Sequence, residues 1–511
     1  MPADSAAAPS GASSTADASS PGAPSTSGSL DGASTPPLRT GRMLAVLLVA
    51  VFMAQFDFFV ANVAAPSLSV SLHAGRAALE LIVGGYAFAY ASGMITGGRL
   101  GDLFGHRRMF VAGMLGFAVA SVLCGAAADP TQLVVFRLLQ GLAGAAMVPQ
   151  VLATVTAVFP AASRPAAIAW YSAAAGIGSI AGQVLGGMLL QADVFGLGWR
   201  AIFLVNGPIG VVAALVALRV LPGRAADAPT SARRSATDPL GALGVAGSLA
   251  LLVIPLTLGR DQHWPLWTWI CMIAAVPVGF ATVLWQQRLS GRGGTPTLQL
   301  SLFSSPPFRT GLLAGAAFYL YFGSFMFTLT LLLQTGLGHS PVEAGLIFAP
   351  MGVLFGVSSM VGKQLIARHG LKVVLLGTVL IGAGLALLAA ALVVSSGHVA
   401  LPVVVVALSI VGTGNGIVLP ALNGATLALV RPHQAGSASG VLATTQQFAS
   451  AMGVAVIGTF FYTMLGSRHG ADGYAGAMVA TALVAIGLTI ATAATVQQLS
   501  RLSRRPAAAA E

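Results

Sequence analysis

Fourteen apolar stretches, each near the length of a bilayer crossing, are the feature that leaves this chain least freedom. A helix rises ~1.5 Å per residue, so about 20 apolar residues span a hydrocarbon layer of about 30 Å. Such stretches lie near 43–65, 79–98, 109–128, 131–153, 166–190, 201–221, 240–259, 266–286, 310–333, 342–362, 371–394, 401–428, 436–464 and 475–497. In lipid every backbone amide needs a partner within its own segment, so runs of this length are expected as helices. Of 511 residues, 56% are hydrophobic and 8% charged, too few charges to solvate an ordinary soluble surface. An all-α, multi-pass membrane protein embedded in a lipid bilayer follows.

Sidedness can be read from the basic residues. With the N-terminus cytoplasmic, 20 of the 25 Lys and Arg fall on the inner side; Arg76, Arg200, Arg260 and Arg468 fall outside and Arg137 lies within a span. A miscount of one early span would destroy this asymmetry, because every later loop would change sides. Both termini are therefore expected in the cytoplasm of a cell bounded by this inner membrane. The net charge of +11 is scattered over short loops, so it reads as a topology signal and argues against a nucleic-acid partner. Residues 1–42 are mostly Ala, Ser, Pro, Gly and Thr before the first span, and are expected to be a disordered tail without the layout of a secretory signal. Cys124 and Cys271 lie inside apolar runs and the eight histidines lie outside or at the ends of spans, so neither a metal site nor a cofactor is implied.

Between the second and third spans the chain reads GRLGDLFGHRR (98–108), a dense group of charges in a connection too short to be a domain. Gly98 and Gly105 permit a sharp turn and close helix approach, and Asp102 sits where a new helical turn would begin. The pattern G-x-L-x-D-x-x-G-x-R-R resembles the loop signature of the major facilitator superfamily, with Gly98, Leu100, Asp102, Gly105, Arg107 and Arg108 in register. The resemblance implies a gating latch on the cytoplasmic side. It also implies two pseudo-symmetric six-helix halves, 43–221 and 310–497, with linkers and two inserted helices in 222–309 and a short tail at 498–511. GKQLIARHGLK (362–372) stands in the second half where GRLGDLFGHRR stands in the first, without the aspartate. In this fold substrate is expected between the halves near the midplane.

One acid lies deep in the first span. Asp57 has no acidic neighbour between residues 31 and 80, and a carboxylate in hydrocarbon costs several kcal/mol unless protonated, paired or wetted, so it is functional by default. By helical rise it lies about 12 Å below the outer boundary and Arg137 about 9 Å below it. The two can share a depth and pair. Burial favours the protonated carboxyl and a nearby guanidinium the ionised one, so a moving partner would switch its hold on a proton. DFFVANVAAP (57–66) resembles the first-span signature of the fourteen-span drug:proton antiporters, with Phe59 where that group has Thr, and FRLLQGLAGA (136–145) resembles its fourth-span motif. The resemblance implies a proton-transfer role for Arg137. Glu80, opening the second span, is a candidate to recruit protons from outside.

In the fifth span GIGSIAGQVLGG (176–187) resembles the antiporter signature through Gly178, Gly182, Gly186 and Gly187, with Gln183 in place of its Pro. WRAIFLVNGPIG (199–210) resembles the entry to the sixth span of the same group. The ninth span supplies Tyr319 and Phe322 among its aromatics, and Tyr86, Gln140, Asn415 and Gln446 are candidate polar contacts in a broad apolar cavity. The expectation is a monomeric, proton-coupled exporter of lipophilic or amphipathic small molecules. The same fold running as an importer is the alternative, which Gln183 permits. An enzyme is not expected, since acids outside 98–108 occur singly. In a cysteine-free background, Cys introduced for His263 should react with an impermeant maleimide in intact cells, and Cys introduced for Arg233 only after permeabilisation; the reverse pattern would invert the topology.

Overall fold

A computed structural model describes residues 37–504 except 161–162, 224–237, 260–261, 295, 371, 396–398, 429, 431–434 and 469. The expectations for residues 1–36 and 505–511 lie outside this range, as does much of the first inserted linker. Among the described residues the regular structure is helical throughout. The N-terminal helices are α1 (Pro37–Ser71), α2 (Arg76–Phe104), α3 (His106–Ala126), α4 (Pro130–Val158), α5 (Arg164–Ala192), α6 (Ala201–Leu204) and α7 (Asn206–Val220). Next come α8 (Pro239–Leu258) and α9 (Leu266–Gly291), then α10 (Pro306–Leu331), α11 (Pro341–His369), α12 (Lys372–Val394), α13 (Leu401–Ala428), α14 (Ala435–Leu465) and α15 (Ala471–Arg504). Fourteen spans are long and apolar enough to cross a membrane, α6 and α7 together forming the sixth.

The packing repeats itself. In the first half α1 lies on α5, α2 and α3 lie on α4, and α3 lies on α7. In the second half α10 lies on α14, α11 and α12 lie on α13, and α12 lies on α15. The two halves meet through α2 against α14 and α5 against α11, contacts that the same pseudo-symmetry exchanges. The architecture is two six-helix halves of like packing, with α8 and α9 inserted between them in the chain.

The basic connection differs from its sequence reading. Helix α2 runs through Gly98 and Asp102 to Phe104, so Asp102 ends one helix where the sequence suggested the start of another; its side chain lies outside the described residues. The break falls on Gly105 alone, whose φ of +94° is strained for a residue with a side chain. Helix α3 starts at His106, so Arg107 and Arg108 lie in its first turn. Arg107 then reaches the Leu218 carbonyl at the end of α7.

The inserted pair is peripheral. Only 17% of each inserted span is buried by protein, against 72% of the second span, so α8 and α9 present apolar side chains such as Leu243 and Ile273 outward, as lipid contact demands. A buried carboxylate joins the start of α8 to the end of α9. Asp238 caps α8 by accepting from the Gly241 amide at 2.8 Å, and also accepts from Trp285 Nε1 at 2.8 Å, Gln286 Nε2 at 2.7 Å and the Thr297 amide at 3.1 Å. Burial alone would raise its pKa, but these bonds to the ionised form outweigh it and hold the carboxyl below its ordinary range. Beside Thr297, the Pro296 carbonyl accepts from Arg99 of α2, so the knot is continuous with the 98–108 segment. Asp238→Ala should cost about 1–3 kcal/mol, read as a lower thermal midpoint of the purified protein, because it strands buried donors. With a depressed folded pKa, the wild-type contribution is complete above the unfolded value of about 3.9 and is lost as pH falls through the lower folded value.

Candidate functional site

Helices α1, α3, α4 and α7 converge on Asp57, and every polar partner there is fully or almost fully buried. Arg137 of α4 donates through Nη1 to Asp57 Oδ2. One turn along α4, Gln140 donates through Nε2 to Asp57 Oδ1 at 2.8 Å and accepts from Arg137 Nη1 at 2.8 Å. From α7, Asn206 Nδ2 donates to the same Oδ1 at 3.0 Å. Ser121 of α3 accepts from Gln140 at 3.0 Å and from Asn206 at 3.1 Å, and passes its own proton to the Phe203 carbonyl at 2.8 Å. Arg137 Nε is held by the Ile82 carbonyl at 3.0 Å, while Nη2 has no hydrogen-bond partner among the described residues. Its guanidinium carbon lies 4.4 Å from the centre of the Tyr86 ring and 5.6 Å from that of Phe203.

The sequence singled out Asp57 and Arg137, expected Gln140 at the cavity instead, and missed Asn206 and Ser121. Asn206 had a signal, being a lone amide in an apolar span. Ser121 had none, since a serine in a membrane helix commonly bonds its own backbone.

A cavity of about 220 Å³ lies between the halves. Aromatic and thioether groups dominate its wall, among them Phe58, Phe59, Tyr319, Phe322, Phe355 and Met351. Gln55, Gln183, Asn423, Gln446 and Gln447 add amides, and none of the described lining residues is Asp, Glu, Lys, Arg or His. Tyr319, Phe322 and Gln446 thus line the cavity, whereas three other candidate contacts do not. Gln140 belongs to the Asp57 cluster. Asn415 is buried within the second half and accepts from the Tyr321 hydroxyl at 3.2 Å. Tyr86 lies behind the wall, because its hydroxyl donates to the Ala54 carbonyl at 3.1 Å and its ring covers Arg137. That ring stacks at 5.9 Å on Tyr90, which does line the cavity. The route from cavity to buried pair therefore runs through two stacked phenols on α2, and along α1 through the step from Phe58 to Asp57.

At the end opposite residues 98–108 the halves touch. Glu80 of α2 is buried against α14, where the Thr459 hydroxyl donates to its carboxylate at 3.4 Å. Gln334 Nε2 donates to the Val63 carbonyl of α1 at 2.9 Å. At the other end Gly98 sits beside Pro149 of α4, and His106 Nδ1 lies 2.9 Å from Gln150 Oε1.

Glycines of α5 let α1 approach. A Cβ on Gly178 would lie 2.7 Å from the Phe52 carbonyl, one on Gly182 would lie 2.6 Å from the Phe56 carbonyl, and one on Gly186 would lie 2.5 Å from Val60. These contacts repeat at four-residue intervals on both helices and set the face of α1 that carries Asp57 inward. Gly187 instead meets Pro341 of α11, across the halves.

Residues 47–454 match the family model of the Major Facilitator Superfamily. The chain is 37% identical over 435 residues to a probable actinorhodin transporter of Streptomyces coelicolor, covering 85% of this chain and 74% of that one. It is 33% identical over 423 residues to a puromycin resistance protein of Streptomyces alboniger, covering 81% and 80%. Among solved structures, a bacterial homolog of the human lysosomal transporter Spinster, inward-facing and occupied, superposes with a TM-score of 0.65 at 17% identity over 92% of this chain and 98% of that one.

Gly182→Val should displace α1 beside Asp57, lowering stability by about 1–3 kcal/mol and abolishing transport, as measured by thermal midpoint and efflux. Gly247→Ala, whose added methyl meets open space, should behave as wild type in both assays.

Proposed function

Because the chain belongs to the major facilitator superfamily, we propose that it exports lipophilic or amphipathic small molecules of the antibiotic type across the cytoplasmic membrane in exchange for protons. One juxtaposition carries this reading: consecutive residues of α1 serve a buried ion pair and a hydrophobic cavity, Asp57 facing Arg137 and Phe58 facing the substrate space. The names of two relatives, an actinorhodin transporter and a puromycin resistance protein, support cargo of this kind.

In the cycle proposed, the present state opens toward the cytoplasm. The halves are closed near Glu80 and Gln334, and an ionised Asp57 is held by Arg137, Gln140 and Asn206. Substrate enters among the aromatics and the halves rock about it. Outside, Asp57 takes up a proton as substrate leaves and its bond to Arg137 loosens; on return the proton passes to the cytoplasm and the pair re-forms. Glu80, buried only while the outer side is shut, meets external protons when it opens. Gly98, Gly105, Arg107, Arg108 and Asp102 form the inner latch. A charge crossing ~100 mV releases about 2.3 kcal/mol, so one proton per cycle sustains a concentration ratio of tens.

Asp57→Asn should abolish efflux driven by a pH gradient. Because that change leaves Arg137 unpaired, at a cost of about 3–5 kcal/mol, the double variant Asp57→Asn/Arg137→Gln is the better-folded companion and should also be uncoupled. Undiminished gradient-driven efflux by either variant would remove Asp57 from coupling. Probe accumulation that an uncoupler abolishes in wild-type cells would assign import.

A further inference from the structure

Gln183 is 3% exposed and lines the cavity, yet neither Oε1 nor Nε2 has a hydrogen-bond partner among the described residues. A buried amide left in this condition is costly, and most native ones are satisfied. Two other amides of the wall pair with each other, Gln446 Nε2 donating to Asn423 Oδ1 at 2.7 Å. The residue also stands where the resembled antiporter signature has proline, which could offer a ligand no side-chain bond. We propose that Gln183 reads the substrate, and that the substrate is an uncharged aromatic molecule carrying a hydrogen-bond donor and acceptor side by side, as a lactam or carboxamide edge does. The inference rests on the export reading and names the class of cargo within it.

Three features select this class. A primary amide presents one acceptor and one donor on the same edge, so its complement is a cis-amide or an equivalent pair. The described wall offers no ionised group to balance a charged ligand, and the charges behind it, Asp57 and Arg137, already neutralise each other. A cation would therefore be desolvated without compensation. Once Asp57 is protonated, the charge remaining behind the wall is positive and opposes a cation further. Finally, Phe59 of α1 and Phe322 of α10 meet edge-on at 5.9 Å, so each half contributes an aromatic surface to a flat apolar body.

The position of Gln183 also ties occupancy to opening. Its own carbonyl would lie 2.8 Å from a Cβ on Gly345 of α11, so the residue sits at the tight crossing of α5 and α11 that must part for outward release. A ligand bonded to this amide touches the seam between the halves. Exchange of an uncharged molecule for protons also moves net charge, so membrane potential adds to the pH gradient as a driving force.

Four probes on one scaffold test the proposal against the full-length protein in lipid nanodiscs, with binding followed by fluorescence. They are 6(5H)-phenanthridinone, its N-methyl lactam, the permanent cation N-methylphenanthridinium, and phenanthridine-6-carboxylate. The carboxylate arm covers Lys363, one helical turn beyond Ser359 of the wall, whose side chain lies outside the described residues. Wild type should bind the lactam at least about tenfold tighter than the other three, a step of the size one hydrogen bond supplies. Gln183→Leu should erase the gap between lactam and N-methyl lactam, and Gln183→Glu should bring N-methylphenanthridinium up to or above the lactam, a gain that misfolding could not mimic. Equal or tighter wild-type binding of cation or carboxylate would overturn the proposal, as would no lactam binding or lactam affinity unchanged in Gln183→Leu. Proton-driven efflux of the same probes keeps the two readings apart. Lactam binding without efflux leaves the substrate class standing and removes export, whereas efflux of the cation in preference to the lactam does the opposite.

Discussion

A carboxylate and a guanidinium withdrawn from water in the middle of a helical bundle persist only if each meets the other and their remaining hydrogen-bonding positions are filled. Asp57 and Arg137 approach this condition through four helices at once, only Arg137 Nη2 of the pair lacking a hydrogen-bond partner among the described residues. Gln140 lies on the arginine's own helix, Asn206 comes from α7, and Ser121 from α3 closes the ring against the Phe203 carbonyl. The pair therefore fixes the rotation of α1 and α4 about their axes, which hydrophobic burial alone leaves loosely defined in lipid. A proton taken up by Asp57, as proposed, would act where helix packing must respond, since the carboxylate accepts from Arg137, Gln140 and Asn206.

The second half has the same helix pairings but different chemistry at the corresponding depth. Tyr321 of α10 and Asn415 of α13 form a neutral hydrogen bond, so the symmetry of the backbone is broken by charge. In the coupling proposed above the protonated group belongs to the first half, and the second supplies cavity wall, including Tyr319 and Phe322 of α10 and Phe348 and Phe355 of α11. Glycine-lined crossings join the two functions: α5 holds α1 on one side through Gly178, Gly182 and Gly186, and meets α11 on another through Gly187. Under the proposed cycle, a shift of α1 on proton transfer would reach the seam between the halves through these contacts of α5.

The inserted pair joins the rest of the bundle through α8, which packs on α2 and α14. Their closest shared polar structure, the knot around Asp238, ends at Thr297, and the adjoining Pro296 carbonyl is held by Arg99. Anchorage of the insertion and the conformation of the 98–108 segment are thus mechanically joined, although the spans of α8 and α9 face largely outward.

The sequence by itself determined the number of spans, their order and an expected sidedness, because hydrophobic length and flanking charge are local properties of the chain. It singled out Asp57 and Arg137 for the same reason, since a charge inside an apolar run is conspicuous without any knowledge of its neighbours. Which way each helix faces was decided by tertiary packing. These spans are apolar on nearly all sides, so periodicity does not distinguish a face turned to lipid from one turned to protein. That is why Tyr319, Phe322 and Gln446 line the cavity while Tyr86, Gln140 and Asn415 do not, and why Asn206 and Ser121 emerged as partners of Asp57 only in three dimensions. Residues 98–104 read as a connection because they are polar, yet they extend α2, the break depending on one glycine's φ. Gln183 stood out in the sequence only as a departure from a motif; the structure places it in the cavity wall at the crossing of α5 and α11, because the glycines around it fix how α5 rests between α1 and α11.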